Sequence, residues 1–233
     1  MAPTDATLPD PGRPELPAGL PADLAARARV GGDGLLWVSP ALADDEPRLR
    51  ERGCRPARLV LQLRCDLPLD ASAGSPAACR PFRPGRDDDE FLDVNHRAFE
   101  WHPEQGDLDA EGLAARLAAP WFSADGFLVH TDAAGRIDGY CWTKVHPPSG
   151  DEPALGEIYV VARDPALTVR GLGRALVVAG LDHLSRQTVD GTALAVGMLY
   201  VESTNDVAVG LYSSLGFTLH HTDAAYALPG APA

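Results

Sequence analysis

The segment from Glu157 to Leu184, EIYVVARDPALTVRGLGRALVVAGLDHL, decides the fold of this chain. Its apolar residues 158–161 form a short run rich in β-branched side chains, which predicts a buried strand. The sequence 163–165 (Arg-Asp-Pro) predicts a turn, and apolar side chains recur at helical spacing after Gly171. A strand, a glycine-bearing loop and a helix in this order aim unpaired backbone N–H groups and the positive end of the helix dipole at one point. That point favours an anion.

The loop carries four residues that suit a phosphate. Gly171 and Gly173 would let the backbone approach it closely, and Arg170 and Arg174 add positive charge. We therefore interpret the loop as a pyrophosphate-binding site. The pattern Arg-Gly-x-Gly alone is weak evidence, because glycines at a helix N-terminus often make only a tight connection. The sequence matches neither the P-loop nor the dinucleotide-binding fingerprint.

Length and charge restrict the possible functions. The 233 residues suffice for one large domain or two small ones. A formal net charge of −13 argues against nucleic acid and anionic membranes as partners, because both would be repelled. The four cysteines show no C-x-x-C pairing, and we find neither a signal peptide nor an apolar run of membrane-spanning length. We therefore expect reduced thiols in a cytoplasmic, monomeric protein.

The chain before residue 81 divides into three parts by composition. Residues 1–34 are rich in proline and small residues, and are predicted to be disordered or loosely packed, with a possible short helix over 21–30. Residues 35–66 form a fragment too small to fold alone, which must add to a larger sheet. Residues 67–80 are a linker by composition. Within 35–66 the sequence predicts a strand at 35–38, a brief helix at 47–52 and an alternating strand at 57–65.

Residues 81–229 predict a compact α/β unit in the order β-α-α-β-β-β-α-β-α-β. The first helix has carboxylates throughout its first turn, which a positive helix end favours, and Asp109 is a suitable N-cap for the second helix. Gly216 is a suitable stop for the last helix. The predicted elements are a strand starting at 80–83, helices at 87–99 and 109–118, strands at 127–130 and 137–145, the strand and helix of the opening segment, a strand at 193–201, a helix at 206–214 and a strand at 217–227.

This order of elements, with the glycine-bearing loop between the fourth strand and the third helix, resembles the GCN5-related N-acetyltransferase superfamily. The resemblance implies an α/β (α+β) fold with a mixed, mostly antiparallel sheet flanked by helices, and acetyl-CoA bound by its pyrophosphate. Thr168 and Val169 depart from the superfamily motif Gln/Arg-x-x-Gly-x-Gly/Ala. We expect this to weaken CoA binding without abolishing it, because most of the contacts come from backbone amides. The CoA-binding residues that the resemblance implies are Val161, Ala162, Arg163, Thr168, Val169, Arg170, Gly171, Leu172, Gly173, Arg174, Asn205, Asp206, Val207, Ala208, Val209 and Gly210.

Six further motifs, in order along residues 81–228, resemble the mycothiol synthase family of this superfamily. The resemblance implies transfer of the acetyl group of acetyl-CoA to the cysteinyl amine of desacetylmycothiol, a cysteine–glucosamine–inositol conjugate. That family has two tandem acetyltransferase domains, and residues 35–66 resemble only the last strand–helix–strand of the first. The motifs are Trp101-His-Pro-Glu-Gln-Gly106, Trp142-Thr-Lys-Val-His146, Leu155-Gly-Glu-Ile-Tyr-Val-Val161, Leu199-Tyr-Val-Glu202 with Asn205, Leu211-Tyr212-x-x-Leu-Gly-Phe217 and Asp223-Ala-Ala-Tyr226.

The chemistry requires a base, an oxyanion site and an acid. An α-amino nucleophile, with a pKa of about 7.7–8.0, needs only modest help to lose a proton. Glu157 could accept that proton directly or through water, and the resemblance places this residue at the substrate amine. By position alone, Glu157 could equally be a solvated charge at a strand end. Backbone N–H groups near Val161 would hold the oxyanion, and Tyr212 resembles the superfamily's tyrosine acid, although its spacing also suits a core aromatic.

Glu104, Lys144, Glu157 and Tyr200 match positions that hold the substrate in the family. Hydroxyl-rich ligands need fixed polar groups, and Lys144 is the only lysine in the chain. Lys144 could instead be merely exposed, and Tyr200 could pack under the sheet. His102 and His146 raise the question of a metal site. Without a third ligand at suitable spacing we interpret them as satisfied loop histidines and predict no metal.

The sequence therefore predicts an acetyl-CoA-dependent N-acetyltransferase that acts directly in a ternary complex. Two alternatives stay open. The same chemistry could act on another small-molecule or peptide amine, because this fold serves many substrates. The chain could also be a non-catalytic acyl-CoA-binding module.

Overall fold

The structure, a computed structural model, describes residues 16–17, 19–100 and 105–230. Within these ranges no helix combines the length and the apolar character that crossing a bilayer would require. The helices are α1 (Ala22–Ala25), α2 (Asp45–Arg50), α3 (Asp88–Ala98), α4 (Ala110–Leu117), α5 (Leu172–Ser185) and α6 (Asp206–Ser213). The strands are β1 (Ala28–Val30), β2 (Leu36–Val38), β3 (Arg55–Asp66), β4 (Arg80–Pro81), β5 (Phe127–Thr131), β6 (Ile137–His146), β7 (Leu155–Arg163), β8 (Thr188–Val189), β9 (Thr192–Ala193), β10 (Val196–Glu202) and β11 (Thr218–Ala227).

The chain divides into two compact units. The first unit contains the described residues up to Arg64, together with Tyr200–Ser213 and the chain from Thr218 onward. The second unit contains Cys65–Leu199 and Ser214–Phe217. Strand β10 therefore contributes residues to both, and each unit is described by itself below.

The sheet of the second unit has the strand order β10-β7-β6-β5-β4. Each neighbouring pair within β4, β5, β6 and β7 is antiparallel, whereas β7 and β10 are parallel. The strand predicted at 158–161 is longer than its apolar run, because β7 also includes the glycine and the glutamate that precede it. The strand predicted at 193–201 is β10, which begins at Val196; residue 193 belongs instead to the small hairpin β8-β9, whose residues 188–192 the prediction left without structure.

Helix α5 packs closely against one face of this sheet, because small residues at the contact leave room for it. A Cβ at Gly180 of α5 would clash with Cys141 Sγ of β6, and a Cβ at Gly156 of β7 would lie 3.0 Å from Leu184 of α5. Glycine at both positions therefore lets helix and strands approach closely. These contacts fix the C-terminal half of α5 against β6 and the start of β7.

Aromatic side chains fill the opposite face of the same sheet, under α3. Phe127 stacks on Trp142 with ring centroids 4.2 Å apart and on Phe82 at 4.1 Å. Phe91 of α3 meets Phe127 edge-on at 5.0 Å. All four side chains are at most 2 % exposed. Such aromatic contacts stabilise the fold by more than the area that they bury. Strands β5 and β6 therefore pack against a rigid aromatic layer.

The first unit is a sheet with the order β1-β2-β11-β3. Strand β11 pairs antiparallel with β2 on one side and with β3 on the other. The prediction that the 35–66 fragment must add to a larger sheet is therefore confirmed. Helix α2 begins two residues earlier than predicted, since Pro47 occupies a first-turn position where no intrahelical N–H bond is needed.

The N-terminal segment corrects one prediction. Residues 1–34 were expected to be disordered or loosely packed apart from a short helix over 21–30. A helix is present at 22–25, but 28–30 form the strand β1, and Leu24 and Val30 are buried. Their partners are apolar residues distant in sequence, which the local composition does not reveal. The buried cluster contains Leu24, Val30, Leu36, Val38, Leu49, Cys54, Ala224 and Tyr226.

Candidate functional site

The glycine loop (residues 163–174) connects the end of β7 to the start of α5. Arg163 folds back over it, because its guanidinium donates to the carbonyl of Asp164 at 3.3 Å and to that of Leu167 at 2.8 Å. Asp164 accepts from the Ala166 N–H at 2.9 Å and pairs with Arg97 of α3 at 2.5 Å. The hydrogen bond from Arg97 lowers the pKa of Asp164. The beginning of the loop is thus held by its own side chains and by α3.

The N-terminus of α5 suits an anion. Gly171 stands at the N-cap with φ = +87°, a conformation that L side chains rarely adopt, and no side chain caps the helix. The N–H groups of the first turn therefore have no intrahelical partner, while a Cβ built at Gly171 or Gly173 meets no atom within 4 Å. Exposed amides at the positive end of a helix fit a diphosphate.

Two arginines of the loop, Arg170 and Arg174, differ in the contacts of their side chains. Arg170 is exposed. The Arg174 side chain is instead bound, donating from Nε to the Ala73 carbonyl at 2.9 Å and from Nη1 to Ser214 Oγ at 2.6 Å. Both acceptors are neutral, so Arg174 keeps its positive charge, but these hydrogen bonds hold its side chain in place. Thr168 and Val169 are exposed.

The middle of β7 has one unpaired edge. Its ladder with β10 contains only the pairs Gly156–Gly197 and Glu157–Met198, whereas its ladder with β6 continues to Arg163. Backbone groups that face away from β6 beyond Glu157 are consequently free of strand pairing. Because successive residues of a strand direct their N–H groups to opposite sides, only one of the half-buried neighbours Val161 and Ala162 can present its N–H at this edge. Such an N–H suits the oxyanion role predicted near Val161.

Glu157 lies on β7 with its side chain inside the protein. The residue is 0 % exposed, so it is not the solvated strand-end charge that position alone allowed. Its Oε2 is 2.7 Å from His146 Nε2 on β6, and its Oε1 has no hydrogen-bond partner among the described residues. A buried carboxylate oxygen without a donor costs free energy unless something supplies one. Glu157 therefore has one oxygen held and one available.

Lys144 is the cross-strand neighbour of Glu157 on β6. Its Nζ lies 4.9 Å from the centre of the Trp121 ring and 6.0 Å from that of Tyr159, so a cation–π contact holds the half-buried ammonium. Side chains two residues apart on a strand share a face, so Lys144 and His146 lie on the same face. We call Lys144, His146 and Glu157 the strand-face cluster.

Two residues of this region, His146 and Trp121, were not predicted correctly from the sequence. His146 was predicted to be a loop residue, but it is the last residue of β6, which ends where Pro147 and Pro148 can no longer donate to a ladder. Trp121 was not predicted at all. The period-two alternation from Lys144 to His146 was the signal for His146, and no local pattern indicated Trp121.

The first unit holds the remaining described candidates. The Tyr200 hydroxyl accepts a hydrogen bond from Gln62 at 2.7 Å. Asn205 caps α6, because its Oδ1 accepts from the Ala208 N–H at 3.1 Å. Tyr212 is 8 % exposed and is the buried residue of α6, as the alternative of a core aromatic allowed. Val207 is 87 % exposed, and Asp206, Val209 and Gly210 are also on α6.

Two predicted residues, Glu104 and His102, lie outside the described residues. Within 16–17, 19–100 and 105–230, no group of three or more His, Cys, Asp or Glu side chains could hold a metal ion. All four cysteines are free thiols. Burial raises the pKa of each thiol, to about 12 for Cys65 and about 11 for Cys79, so these thiols stay protonated and are poor nucleophiles.

Comparison with known proteins adds to this geometry. The model of the acetyltransferase (GNAT) family matches residues 89–217. A protein of Acidimicrobium ferrooxidans named mycothiol acetyltransferase is 48% identical over 80% of this chain and 59% of its own length. One of the same name from Rhodococcus jostii is 40% identical over 93% of this chain and 76% of its own length. The chain thus spans about three fifths of the first relative.

Solved structures share the fold. A GCN5-related N-acetyltransferase from Sphaerobacter thermophilus superposes with a TM-score of 0.62 at 20% identity, over 83% of this chain and 60% of that one. A tandem GNAT protein from the clavulanic acid biosynthesis pathway gives 0.57 at 17% identity, over 83% of this chain and 61% of that one. At these identities the likeness concerns architecture alone, and it confirms the predicted fold class.

Proposed function

The chain belongs to the acetyltransferase (GNAT) family, and from that membership we propose that it transfers the acetyl group of acetyl-CoA to the cysteinyl amine of a cysteinyl–glucosaminyl–inositol conjugate. The relatives named mycothiol acetyltransferase support this choice of amine. This reaction would be the last step of mycothiol biosynthesis. We place the protein in the cytoplasm, as a monomer.

One observation carries the proposal. Glu157 is fully buried and is held through one carboxylate oxygen, and none of the described residues donates to the other. A protonated amine is the donor that such an oxygen lacks, and deprotonating it is the first requirement of acetyl transfer. A purely structural glutamate on a central strand would have both oxygens satisfied.

The cofactor would bind at the glycine loop. Bound acetyl-CoA supplies the activated acyl thioester. The first-turn amides of α5 would hold its diphosphate, and Arg170 would add charge at the exposed side. The unpaired edge of β7 near Val161 would donate N–H groups to the acyl oxygen as negative charge develops there. These contacts are mostly from the backbone, which suits a loop whose Thr168 and Val169 depart from the family motif.

The balance of atoms is simple. The protonated amine gives one proton to Glu157 Oε1, and the neutral nitrogen then forms a bond to the acyl carbon while the carbon–sulfur bond breaks. The leaving thiolate, with an intrinsic pKa of about 8.5, takes a proton from Tyr212. The second proton that the nitrogen loses returns to the Tyr212 oxygen. Lys144, Tyr200 and Glu104 would bind the hydroxyl-rich part of the substrate. Protonated, buried thiols make transfer through an acyl-cysteine unsuitable.

The test is release of free CoA. The whole chain is incubated with acetyl-CoA and either the cysteinyl–glucosaminyl–inositol conjugate or a panel of other small-molecule and peptide amines, and thiol is measured with a chromogenic disulfide. Acetylation of the conjugate, checked by mass spectrometry, is the expected result. Turnover of other amines only would replace the proposed substrate. Tight acetyl-CoA binding without turnover of any amine would indicate a non-catalytic binding module and overturn the proposal.

A further inference from the structure

His146 is the one hydrogen-bond partner that the described residues give to the Glu157 carboxylate. The pair spans two strands, since Glu157 is opposite Lys144 in the ladder and His146 is its diagonal neighbour. Diagonal side chains on one sheet face are within reach when they are long. Glu157 thus bonds to the diagonal imidazole, while the ammonium directly opposite lies over Trp121.

The direction of this hydrogen bond follows from the chemistry of its ends. An ionised carboxylate only accepts, so His146 Nε2 must carry the proton and donate to Oε2 at 2.7 Å. A charge-assisted bond of this kind restricts the rotation of the carboxylate. It therefore fixes the position of Oε1, the oxygen to which no described residue donates.

The side chains of Glu157 and His146 differ in their exposure to solvent. The Glu157 side chain is 1% exposed, so bulk water gives it little support, whereas the His146 side chain is 28% exposed at the end of β6. The backbone next to His146 is stiff, because Pro147 and Pro148 follow it. The imidazole therefore has a fixed attachment and can act on a carboxylate that water cannot orient.

We propose that His146 is a positioning residue for acetyl transfer: by donating to Oε2 it fixes the orientation of the Glu157 carboxylate, with Oε1 as the acceptor for the substrate amine. This inference rests on the proposed function, in which Glu157 accepts the amine proton. His146 need not touch the substrate. Its effect passes through Glu157 alone.

The kinetic test uses variants that separate donation from volume. In His146→Gln, the amide nitrogen can still donate near the position of Nε2; in His146→Leu, a side chain of similar bulk cannot. We expect kcat to fall about tenfold or more in His146→Leu, with partial recovery in His146→Gln, because part of the 10²–10⁴-fold contribution of a general base is lost. The KM for acetyl-CoA should change less than about twofold, since the glycine loop is untouched.

A double-mutant cycle with Glu157→Gln decides whether His146 acts through Glu157. If it does, adding His146→Leu to Glu157→Gln causes no further loss of kcat. Additive losses, or equal losses in His146→Gln and His146→Leu, would overturn the inference while leaving the proposed function standing. A wild-type chain that acetylates no amine would overturn both.

A spectroscopic measurement needs no activity. Nitrogen-15 NMR of the histidine side chains should show a proton on His146 Nε2 in the wild type at neutral pH, and a changed Nε2 signal in Glu157→Gln. An imidazole protonated only at Nδ1 would contradict the assigned hydrogen bond and overturn the inference, even if the enzyme were active.

Discussion

The glycine loop and the strand-face cluster are both part of the second unit, but they are built differently. The glycine loop presents backbone N–H groups, and its conformation depends on Gly171 and on the contacts of Arg163 and Asp164. The cluster presents side-chain atoms, and each depends on one partner: Glu157 on His146, and Lys144 on Trp121. A backbone site tolerates changes of side chain, whereas a side-chain site fails with a single substitution.

The largest effect that this comparison predicts is that of Glu157→Gln. The amide keeps the volume but cannot accept a proton, so kcat for acetyl transfer should fall about 10²–10⁴-fold. Acetyl-CoA affinity should stay within about twofold, because the cofactor is expected to contact backbone groups of the other region. Thiol release measures the first and calorimetry the second. A Glu157→Gln variant with normal turnover would show that the cluster contains no base.

The next largest effect is expected at Gly171, where the backbone site does depend on one residue. Gly171→Val places a β-branched residue at φ = +87°, which strains the N-cap by about 1–3 kcal/mol and displaces the first-turn amides. We expect acetyl-CoA affinity to fall at least about tenfold in a calorimetric titration.

Gly173→Ala is the matched control for this substitution. Gly173 is not in the left-handed region, and alanine favours a helix by about 1 kcal/mol over glycine. Urea unfolding should show the Gly173→Ala chain at least as stable as the wild type. If it binds acetyl-CoA as tightly as the wild type, the backbone at this turn does not approach the cofactor closely.

A smaller effect concerns the support of the glycine loop. Arg97 lowers the pKa of Asp164, so the folded protein binds this proton less readily than the unfolded chain. The pair therefore stabilises the fold above the ordinary Asp pKa of about 3.9, and this contribution is lost as pH falls through the lower folded value. Because Arg97 is about half exposed, we expect only about 0.5–1 kcal/mol.

Urea titrations of wild type and Asp164→Asn from pH 7 to pH 2 measure this difference. The wild type should be more stable at neutral pH, and the two curves should converge at the acidic end. A gap that widened as the pH fell would contradict the direction of the pKa change.

The smallest effect is predicted for Thr168→Gln, which restores a residue of the family motif. Because the amides of the loop bind the diphosphate, acetyl-CoA affinity should change by less than about threefold, a typical result for an exposed position. A tenfold gain in calorimetry would mean that the side chain at 168 contributes directly, and that the glycine loop is less purely a backbone site than its structure indicates.

Much of the second unit could be predicted from the sequence. The helix that follows the glycine loop begins at Leu172 as predicted, and Asp109 caps α4 by accepting from the Gly112 N–H at 2.8 Å. In the first unit, α6 ends at Ser213, and Gly216, the predicted stop, follows with φ = +88°. Each of these features depends on residues within a few positions of one another, so local rules suffice.

The sequence was uninformative where distant residues decide the outcome. Leu24 and Val30 are buried in a cluster that includes residues of β2 and β11. Arg174 donates to Ala73 and Ser214, which are 101 and 40 residues away in the chain. No periodicity contains this information.

The sequence by itself determined the strand, the glycine-bearing turn and the helix that follow Glu157, since φ preferences and hydrophobic spacing act over a few residues. Only the tertiary structure decided that the Glu157 carboxylate is buried, that His146 holds one of its oxygens and that Trp121 holds Lys144. These contacts depend on the register between β6 and β7 and on the loop that follows α4. Register is set by the packing of whole faces, and so it is a property of the folded chain.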